Sequence, residues 1–182
     1  MKVTPLRIPD VLLIEPRVFE DKRGFFFESF REDVFRKETS LNVSFIQDNH
    51  SKSSQGILRG LHYQLPPHAQ GKLVRVIQGE VLDIAVDIRE SSPTCGQYVA
   101  EILSSHNKKQ LYIPEGFAHG FLTLSDTSEF LYKTTDFYHP ESERCIIWND
   151  ATLNIQWTKD FKIELSAKDH LGQSFKSSPL FP

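Results

Sequence analysis

The chain has 182 residues, with 21 Lys and Arg against 24 Asp and Glu, and its formal net charge at pH 7 is -3. This length suits a single domain, and the mild acidity argues against a general nucleic-acid binder, which needs a broad basic surface. The longest apolar run, residues 11–14, is far shorter than the roughly 20 residues that cross a bilayer, and residues 1–10 lack the apolar region of a signal peptide. Cys95 and Cys145 form no CxxC pattern, so we expect two reduced thiols in a cytoplasmic protein without nucleic-acid or membrane partners.

Short strands dominate the secondary structure that the sequence predicts. The best helical segment is residues 30–38, about two turns long. Strand patterns cover residues 57–63, 72–77, 80–88, 97–103, 110–113, 120–124, 129–134 and 144–148. Turn residues separate these strands at a spacing of roughly 8–12 residues, which predicts an all-β, double-sheet jelly-roll barrel. An immunoglobulin-like sandwich is the alternative, weakened by the lack of a Cys–Trp–Cys pattern.

Residues 81–88 show the cleanest alternation of side chains. One face carries the apolar residues Leu82, Ile84, Val86 and Ile88, and we expect it to face the core. The opposite face includes Asp83, whose carboxylate is then either solvated or directed into a polar cavity.

Two histidine-bearing segments are candidates for chemistry. Residues 56–64 read GILRGLHYQ and include His62, and residues 113–121 read IPEGFAHGF and include His119. Either histidine alone is more often a hydrogen-bonded core group than a catalyst. With Lys72, Asp83 and Tyr132 on other predicted strands, however, they could converge in one barrel interior, which favours a functional interpretation.

The spacing Pro-x-Gly-x-x-His over residues 114–119 resembles the second motif of the cupin superfamily. That resemblance implies a double-stranded β-helix with short flanking helices. Most cupins bind a metal through an H-x-H pair, but the matching position here reads His62-Tyr63-Gln64, so the second ligand is missing. Because a catalytic metal site needs at least three ligands, we predict no metal, and the metal-dependent dioxygenase class is disfavoured.

Longer matches make the resemblance specific. LRGLHYQ over residues 58–64 and IPEGFAHGF over residues 113–121 resemble the dTDP-4-dehydrorhamnose 3,5-epimerase family. Shorter matching stretches lie at residues 47–51, 70–74, 83–89, 92–94, 132–134, 148–150 and 165–169. The resemblance therefore runs in order through nearly the whole chain to about residue 169. Two departures, Ala151 where the family usually has Pro and Lys52 where it often has an aromatic, touch no residue assigned to chemistry.

The resemblance implies conversion of dTDP-4-dehydro-6-deoxy-D-glucose to dTDP-4-dehydro-L-rhamnose by inversion at C3 and C5. Such an enzyme needs a base, an acid on the opposite face and a cation at the enolate oxygen, and no cofactor. A 5-only or 3-only epimerase and, less well supported, a 3,4-ketoisomerase are alternatives within the enzyme class. A non-catalytic cupin that binds nucleotide sugars is the alternative from another class.

The family pattern assigns roles to specific residues of this chain. It makes His62 the base, held in its tautomer by Asp169, and Tyr132 the acid on the opposite face. Lys72 stabilises the enolate oxygen as a point charge and contacts the substrate. His119 also belongs to the substrate site, with Asp83 as its supporting partner.

The same pattern places further residues around the nucleotide. The substrate-binding set is Arg23, Glu28, Gln47, Asp48, Asn49, Arg59, Glu143 and Lys168, with Tyr138 stacked on the thymine. The arginines suit the diphosphate because a guanidinium can fork two oxygens. Family members are homodimers, so we expect residues 1–50 in the dimer interface of a single domain over residues 1–182, and a short helical or loop tail over residues 160–182.

The spacing of Arg59 and His62 predicts an irregular strand. Residues three apart on a regular strand point to opposite faces, so both can line one pocket only if the strand bulges or twists between them. Gly60 is the natural place for this irregularity.

Overall fold

A computed structural model describes residues 1–158 and 160–182 of the chain. Most of its regular structure is antiparallel strand. The strands, in chain order, are β1 (Lys2–Pro5), β2 (Leu12–Glu15), β3 (Phe19–Asp21), β4 (Gly24–Phe26), β5 (Gln47–Ser54), β6 (Leu58–Gln64), β7 (Lys72–Gln78), β8 (Glu80–Asp87), β9 (Tyr98–Ser104), β10 (Gln110–Ile113), β11 (Phe117–Thr123), β12 (Thr127–Thr134) and β13 (Glu143–Cys145). The helices of the described residues are α1 (Glu32–Thr39) and α2 (Ala167–His170), and neither has the length and hydropathy of a membrane span.

Two sheets form the barrel. One has six strands in the order β1-β2-β10-β7-β12-β5, and the other has five in the order β13-β6-β11-β8-β9. A separate hairpin pairs β3 with β4. The predicted all-β jelly-roll barrel with short flanking helices is thereby confirmed.

Apolar side chains from both sheets fill the space between them. Val74 and Phe130 of the six-stranded sheet pack in one cluster with Val81, Ala85 and Phe121 of the five-stranded sheet. This interior layer holds the sheets face to face, and it surrounds the polar groups that the candidate site uses.

Strand β8 is buried on both faces. The face predicted to be core, including Ile84 and Val86, packs beneath the C-terminal segment that contributes Trp157. The other face looks into the barrel, where Asp83 has no exposed surface. Of the two environments predicted for this carboxylate, the structure therefore excludes the solvated one, and it buries Asp83 in the barrel interior beside His119.

Helix α1 covers the outer face of the six-stranded sheet. Its Phe35 is buried against Tyr112 of β10 and against Phe30 and Phe45 from the flanking loops. The helix begins two residues later than predicted and ends at Ser40, which adopts a left-handed conformation with φ of 59°.

The predicted strands agree with the structure except at a few ends. The strand predicted over residues 120–124 begins at Phe117, and the one predicted over residues 144–148 is the shorter Glu143–Cys145. The prediction missed β1 to β5. Strand β5 is the clearest miss, because its sequence QDNHSKSS has no apolar residue and its pairing with β12 along eight positions holds it in place.

Candidate active site

A cavity of about 590 Å³ opens between the two sheets. Strands β6 and β11 line one side and strands β7 and β12 line the other, while residues 165–169 close one end. Of the residues predicted from the sequence, the cavity brings together Arg59, His62, Lys72, His119, Tyr132, Tyr138, Glu143, Lys168 and Asp169. These side chains come from segments that are far apart in sequence, and the two sheets together with the C-terminal segment make them neighbours.

The predicted irregularity in β6 is confirmed. Arg59 pairs with Phe121 and His62 with His119, so a three-residue step on β6 faces a two-residue step on β11. Such a bulge turns both side chains of β6 towards the cavity. Gly60, with φ of 123°, lies inside the step, and a Cβ there would meet Gly120 Cα at 2.6 Å. Only glycine satisfies both the backbone angle and the close approach.

His62 forms a dyad with Asp169. The ring Nε2 lies 2.5 Å from Asp169 Oδ1, and the imidazole side chain is 29% exposed, whereas the carboxylate is buried. Ser166 caps α2 by accepting a hydrogen bond from the Asp169 backbone N–H, which fixes the helix that carries the carboxylate. Burial opposes ionisation of Asp169, but the hydrogen bond and charge of His62 outweigh it and lower the carboxyl pKa.

Asp169 therefore acts as a carboxylate that accepts the Nε2 proton of His62. This arrangement leaves Nδ1 of the imidazole for the cavity. Cys145 borders the dyad, with Sγ 4.0 Å from Asp169 Oδ1, and burial raises the pKa of its thiol to about 12.

His119 and Asp83 form a second, deeper pair. Nε2 of His119 lies 3.1 and 3.0 Å from the two carboxylate oxygens of Asp83, and both residues are buried. Burial lowers the pKa of His119, although the nearby carboxylate opposes this shift. The ring is consequently neutral and donates its Nε2 proton to Asp83.

Lys72 places a cation inside the cavity. Its Nζ donates to the backbone oxygen of His62 at 3.1 Å, which joins the two sheets, and the residue is 7% exposed. Burial lowers its pKa to about 8, while the charges of Asp83 and Glu143 act in the opposite direction. At pH 7 the ammonium form still predominates.

Tyr132 reaches the cavity from the sheet that faces His62. It lies on β12, whereas His62 lies on β6 of the other sheet. Burial raises the pKa of the phenol, so Tyr132 is protonated and can donate a proton.

A polar triad lies at the mouth of the cavity. The hydroxyl of Tyr138 donates to Glu143 Oε2 at 2.6 Å, and Lys168 donates to the same carboxylate oxygen. Burial would raise the pKa of Glu143, but these two hydrogen bonds outweigh it and lower the value. The ring of Tyr138 is 51% exposed and is free to stack on a planar group.

Strand β5 divides the predicted nucleotide residues between its two faces. The side-chain oxygen of Gln47 accepts the backbone N–H of Tyr138 at 3.0 Å, and its amide nitrogen donates to Asn49. Asp48 points to the opposite face, where it accepts from Lys133 at 2.8 Å. Within the described residues, these three are not among those that line the cavity.

Arg23 and Glu28 also lie away from the cavity within one chain. The guanidinium of Arg23 is exposed and donates to Asp21 at 2.5 Å, beside the β3–β4 hairpin. Glu28 accepts from Arg31 at 3.4 Å. The substrate-binding roles of both residues stay predictions.

Two supporting residues were absent from the predicted set. Ser166 is signalled by its position three residues before Asp169, which is the spacing of a helix cap. Ser51 shares the alternating face of Gln47 and Asn49 and lines the cavity, and its buried Oγ has no hydrogen-bond partner among the described residues. The strand period would have indicated it once β5 was recognised.

Comparisons with known proteins agree on one family. The family model described as dTDP-4-dehydrorhamnose 3,5-epimerase matches residues 5–177. A protein of that name from Pseudomonas aeruginosa is 58% identical over 182 residues, covering 100% of both chains. One from Shigella flexneri is 57% identical over 181 residues, covering 100% of this chain and 99% of its own.

A solved structure supports the same grouping. The epimerase of Legionella pneumophila, crystallised in complex with dTDP-4-keto-L-rhamnose, superposes with a TM-score of 0.95 at 47% identity. The alignment covers 98% of this chain and 94% of that chain. The cupin-type fold implied by the sequence motifs is thereby confirmed.

Proposed function

The chain belongs to the dTDP-4-dehydrorhamnose 3,5-epimerase family, and we propose that its catalytic groups are those of the cavity between its two sheets. The protein is an isomerase that inverts C3 and C5 of dTDP-4-dehydro-6-deoxy-D-glucose to give dTDP-4-dehydro-L-rhamnose. The observation that carries the assignment of residues is the His62–Asp169 dyad on one side of the cavity, with Tyr132 on the other.

Proton abstraction begins at His62. Both C3 and C5 flank the C4 ketone, so removal of either proton leaves an enolate whose charge rests on the C4 oxygen. Nδ1 of His62 takes the proton, and the resulting imidazolium is stabilised by the carboxylate of Asp169 at 2.5 Å. The low pKa of Asp169 supports this role because the carboxylate keeps its charge throughout.

The enolate oxygen lies near Lys72 and His119 in this mechanism. The buried ammonium of Lys72 supplies a positive charge where water is excluded, so its attraction for the enolate is stronger than at the surface. The ring of His119 is neutral, and its hydrogen bond to Asp83 fixes its orientation in the cavity wall.

Tyr132 returns the proton from the opposite face. Inversion requires that the carbon loses its proton on one side and gains one on the other, and Tyr132 and His62 belong to opposing sheets. The raised pKa of Tyr132 keeps the phenol protonated until the carbanion-like carbon takes its proton.

The nucleotide occupies the mouth of the cavity in this proposal. Arg59 binds the diphosphate, Tyr138 stacks on the thymine, and Glu143 and Lys168 fix the orientation of the tyrosine ring. Gln47 and Asn49 border this region through the contact of Gln47 with the backbone of Tyr138. No cofactor is assigned to the reaction.

A homodimer accounts for the remaining predicted residues. The β3–β4 hairpin exposes Phe25 and Phe26, at 56% and 68%, beside the exposed Arg23. If a second copy of the chain covered this apolar surface, Arg23 and Glu28 of one chain would contribute to the cavity of the other. We propose that residues 1–50 lie in this interface, that the chain is one domain and that the protein is cytoplasmic.

Deuterium exchange tests the function directly. The protein is incubated in heavy water with dTDP-4-dehydro-6-deoxy-D-glucose and a chelator, and label at C3 and C5 is read by NMR. Label at both carbons with inverted product is the expected result. Label at one carbon assigns a mono-epimerase, and saturable binding without label assigns a nucleotide-sugar-binding module and overturns the catalytic roles.

A further inference from the structure

Three side chains with metal-binding atoms meet at the dyad. A ring nitrogen of His62, the sulfur of Cys145 and a carboxylate oxygen of Asp169 all lie within 4.8 Å of one another. The three residues belong to β6, β13 and α2, and Cys145 is directly opposite His62 in the pairing of β6 with β13. Backbone pairing therefore sets the position of the thiol beside the imidazole.

The donor types are those of a zinc-class site. Imidazole nitrogen, thiolate and carboxylate oxygen are the three ligand types that Zn²⁺ takes from proteins, whereas Mg²⁺ and Ca²⁺ prefer oxygen alone. Three protein ligands suffice when the fourth position is left to solvent. His62 and Asp169 both line the cavity, so solvent from the cavity can supply the fourth ligand of a cation held between them.

The distances need only small adjustments. A tetrahedral site places nitrogen and oxygen ligands about 3.3 Å apart and sulfur and oxygen about 3.6 Å apart. In the structure, His62 Nε2 and Asp169 Oδ1 are separated by 2.5 Å, and Cys145 Sγ and Asp169 Oδ1 by 4.0 Å. These two separations each change by less than about 1 Å when the proton between Nε2 and Oδ1 is replaced by a cation. The His62 ring nitrogen and Cys145 Sγ lie within 4.8 Å of each other, so they approach by at most about 1.3 Å.

We propose that His62, Cys145 and Asp169 bind a divalent cation of the zinc class, and that the bound cation blocks proton abstraction. Nε2 gives its lone pair to the cation, so the single proton of the neutral ring moves to Nδ1. The thiol loses its proton to solvent and binds as thiolate, and the carboxylate binds unchanged. One proton is released per cation, and Nδ1 no longer has a lone pair for the substrate.

This site differs from the metal position that the cupin motifs predict. The cupin pattern joins the histidines of both motifs, which here are His62 and His119, but His119 donates to Asp83 instead. Cys145 supplies a ligand outside either motif. The expectation that catalysis uses no metal is unaffected, because the cation inhibits in this proposal.

Cobalt is the probe for the binding half of the proposal. The full-length protein is titrated with Co²⁺, and thiolate-to-cobalt charge-transfer absorption in the near ultraviolet is recorded. We expect one equivalent to bind with this absorption and Zn²⁺ to displace it. Cys145→Ala should abolish the absorption, and so should Cys145→Ser, which leaves the size of the side chain nearly unchanged. Cys95→Ala is the matched control and should retain the absorption.

Enzyme assays test the inhibitory half, which depends on the role proposed for His62. We expect Zn²⁺ to inhibit the unmodified protein reversibly and the half-inhibitory concentration to rise about tenfold or more in Cys145→Ala. No charge-transfer band in the unmodified protein, or a band that survives both Cys145 substitutions, overturns the site. A normal band without inhibition keeps the site and overturns the effect on His62 as base.

Discussion

The two histidine–carboxylate pairs of the cavity differ in how deeply they are buried. His62 and His119 are direct partners across β6 and β11, yet His119 is bonded to a fully buried Asp83 on a barrel strand, while His62 is 29% exposed and bonded to Asp169 from the C-terminal segment. Burial lowers the pKa of His119 and keeps that ring neutral. The same chemical pair is thus a fixed hydrogen-bond donor at His119, and in the proposed mechanism it is the proton acceptor at His62.

Removal of the exposed imidazole should have the largest effect. His62→Ala takes away the base for both carbons, and we expect exchange at C3 and C5 to fall by about 10²–10⁴-fold. The measurement is deuterium incorporation by NMR, with circular dichroism to verify folding. Exchange at one carbon that persists at the normal rate would assign a second base to that carbon.

Replacement of each carboxylate by an amide should distinguish the roles of the two pairs. Asp169→Asn removes the acceptor that orients His62, and we expect kcat to fall roughly 10²-fold with little loss of stability. Asp83→Asn leaves His119 without its charged partner in the core, and we expect a loss of about 1–3 kcal/mol in the free energy of unfolding. Urea unfolding and steady-state kinetics on both variants provide the comparison, and equal profiles would contradict the division of roles.

Removal of the proton donor Tyr132 should impair inversion while deuterium exchange continues. Tyr132→Phe keeps the ring in place, so abstraction by His62 continues and deuterium enters at about the normal rate. Inverted product should fall roughly 10²-fold, because the opposite face has no proton donor. NMR of the same sample reports both quantities, and unimpaired inversion would remove Tyr132 from the mechanism.

The smallest effect concerns pH. Burial lowers the pKa of Lys72 to about 8, against the opposing charges of Asp83 and Glu143, and His62 and the neutral ring of His119 lie in the same cavity. As the pH rises through this value the ammonium loses its charge, and kcat should decline on an alkaline limb near pH 8. A limb only at markedly higher pH would point to Tyr132, whose pKa burial raises, instead of Lys72.

Sequence patterns predicted the barrel better than its edges. Strand β8 alternates apolar residues, and its period of two indicated both its faces and the special position of Asp83. Strand β5 has no apolar alternation, because its residues are polar and its position depends on hydrogen bonds to β12. The positions of the short strands β1 to β4 likewise depend on pairing with other strands. Strand ends also depend on pairing, so the predicted start of β11 at residue 120 missed its true start at Phe117.

The site was predictable only in part. The bulge followed from the three-residue spacing of Arg59 and His62, since geometry requires it if both side chains share a cavity. The approach of Cys145 to the dyad was not predictable, because it depends on the pairing of β13 with β6 and on the position of α2. Contacts between distant segments carry no local sequence period.

Gly60 and Gly120 restrict how this protein can change. A Cβ at Gly60 would lie 2.6 Å from Gly120 Cα, and one at Gly120 would lie 2.7 Å from the backbone oxygen of Arg59. A side chain at either position therefore separates β6 from β11 and moves His62 away from His119. Libraries built to alter substrate choice should vary the cavity walls and leave this pair untouched, because the two residues without side chains set the spacing on which the others depend.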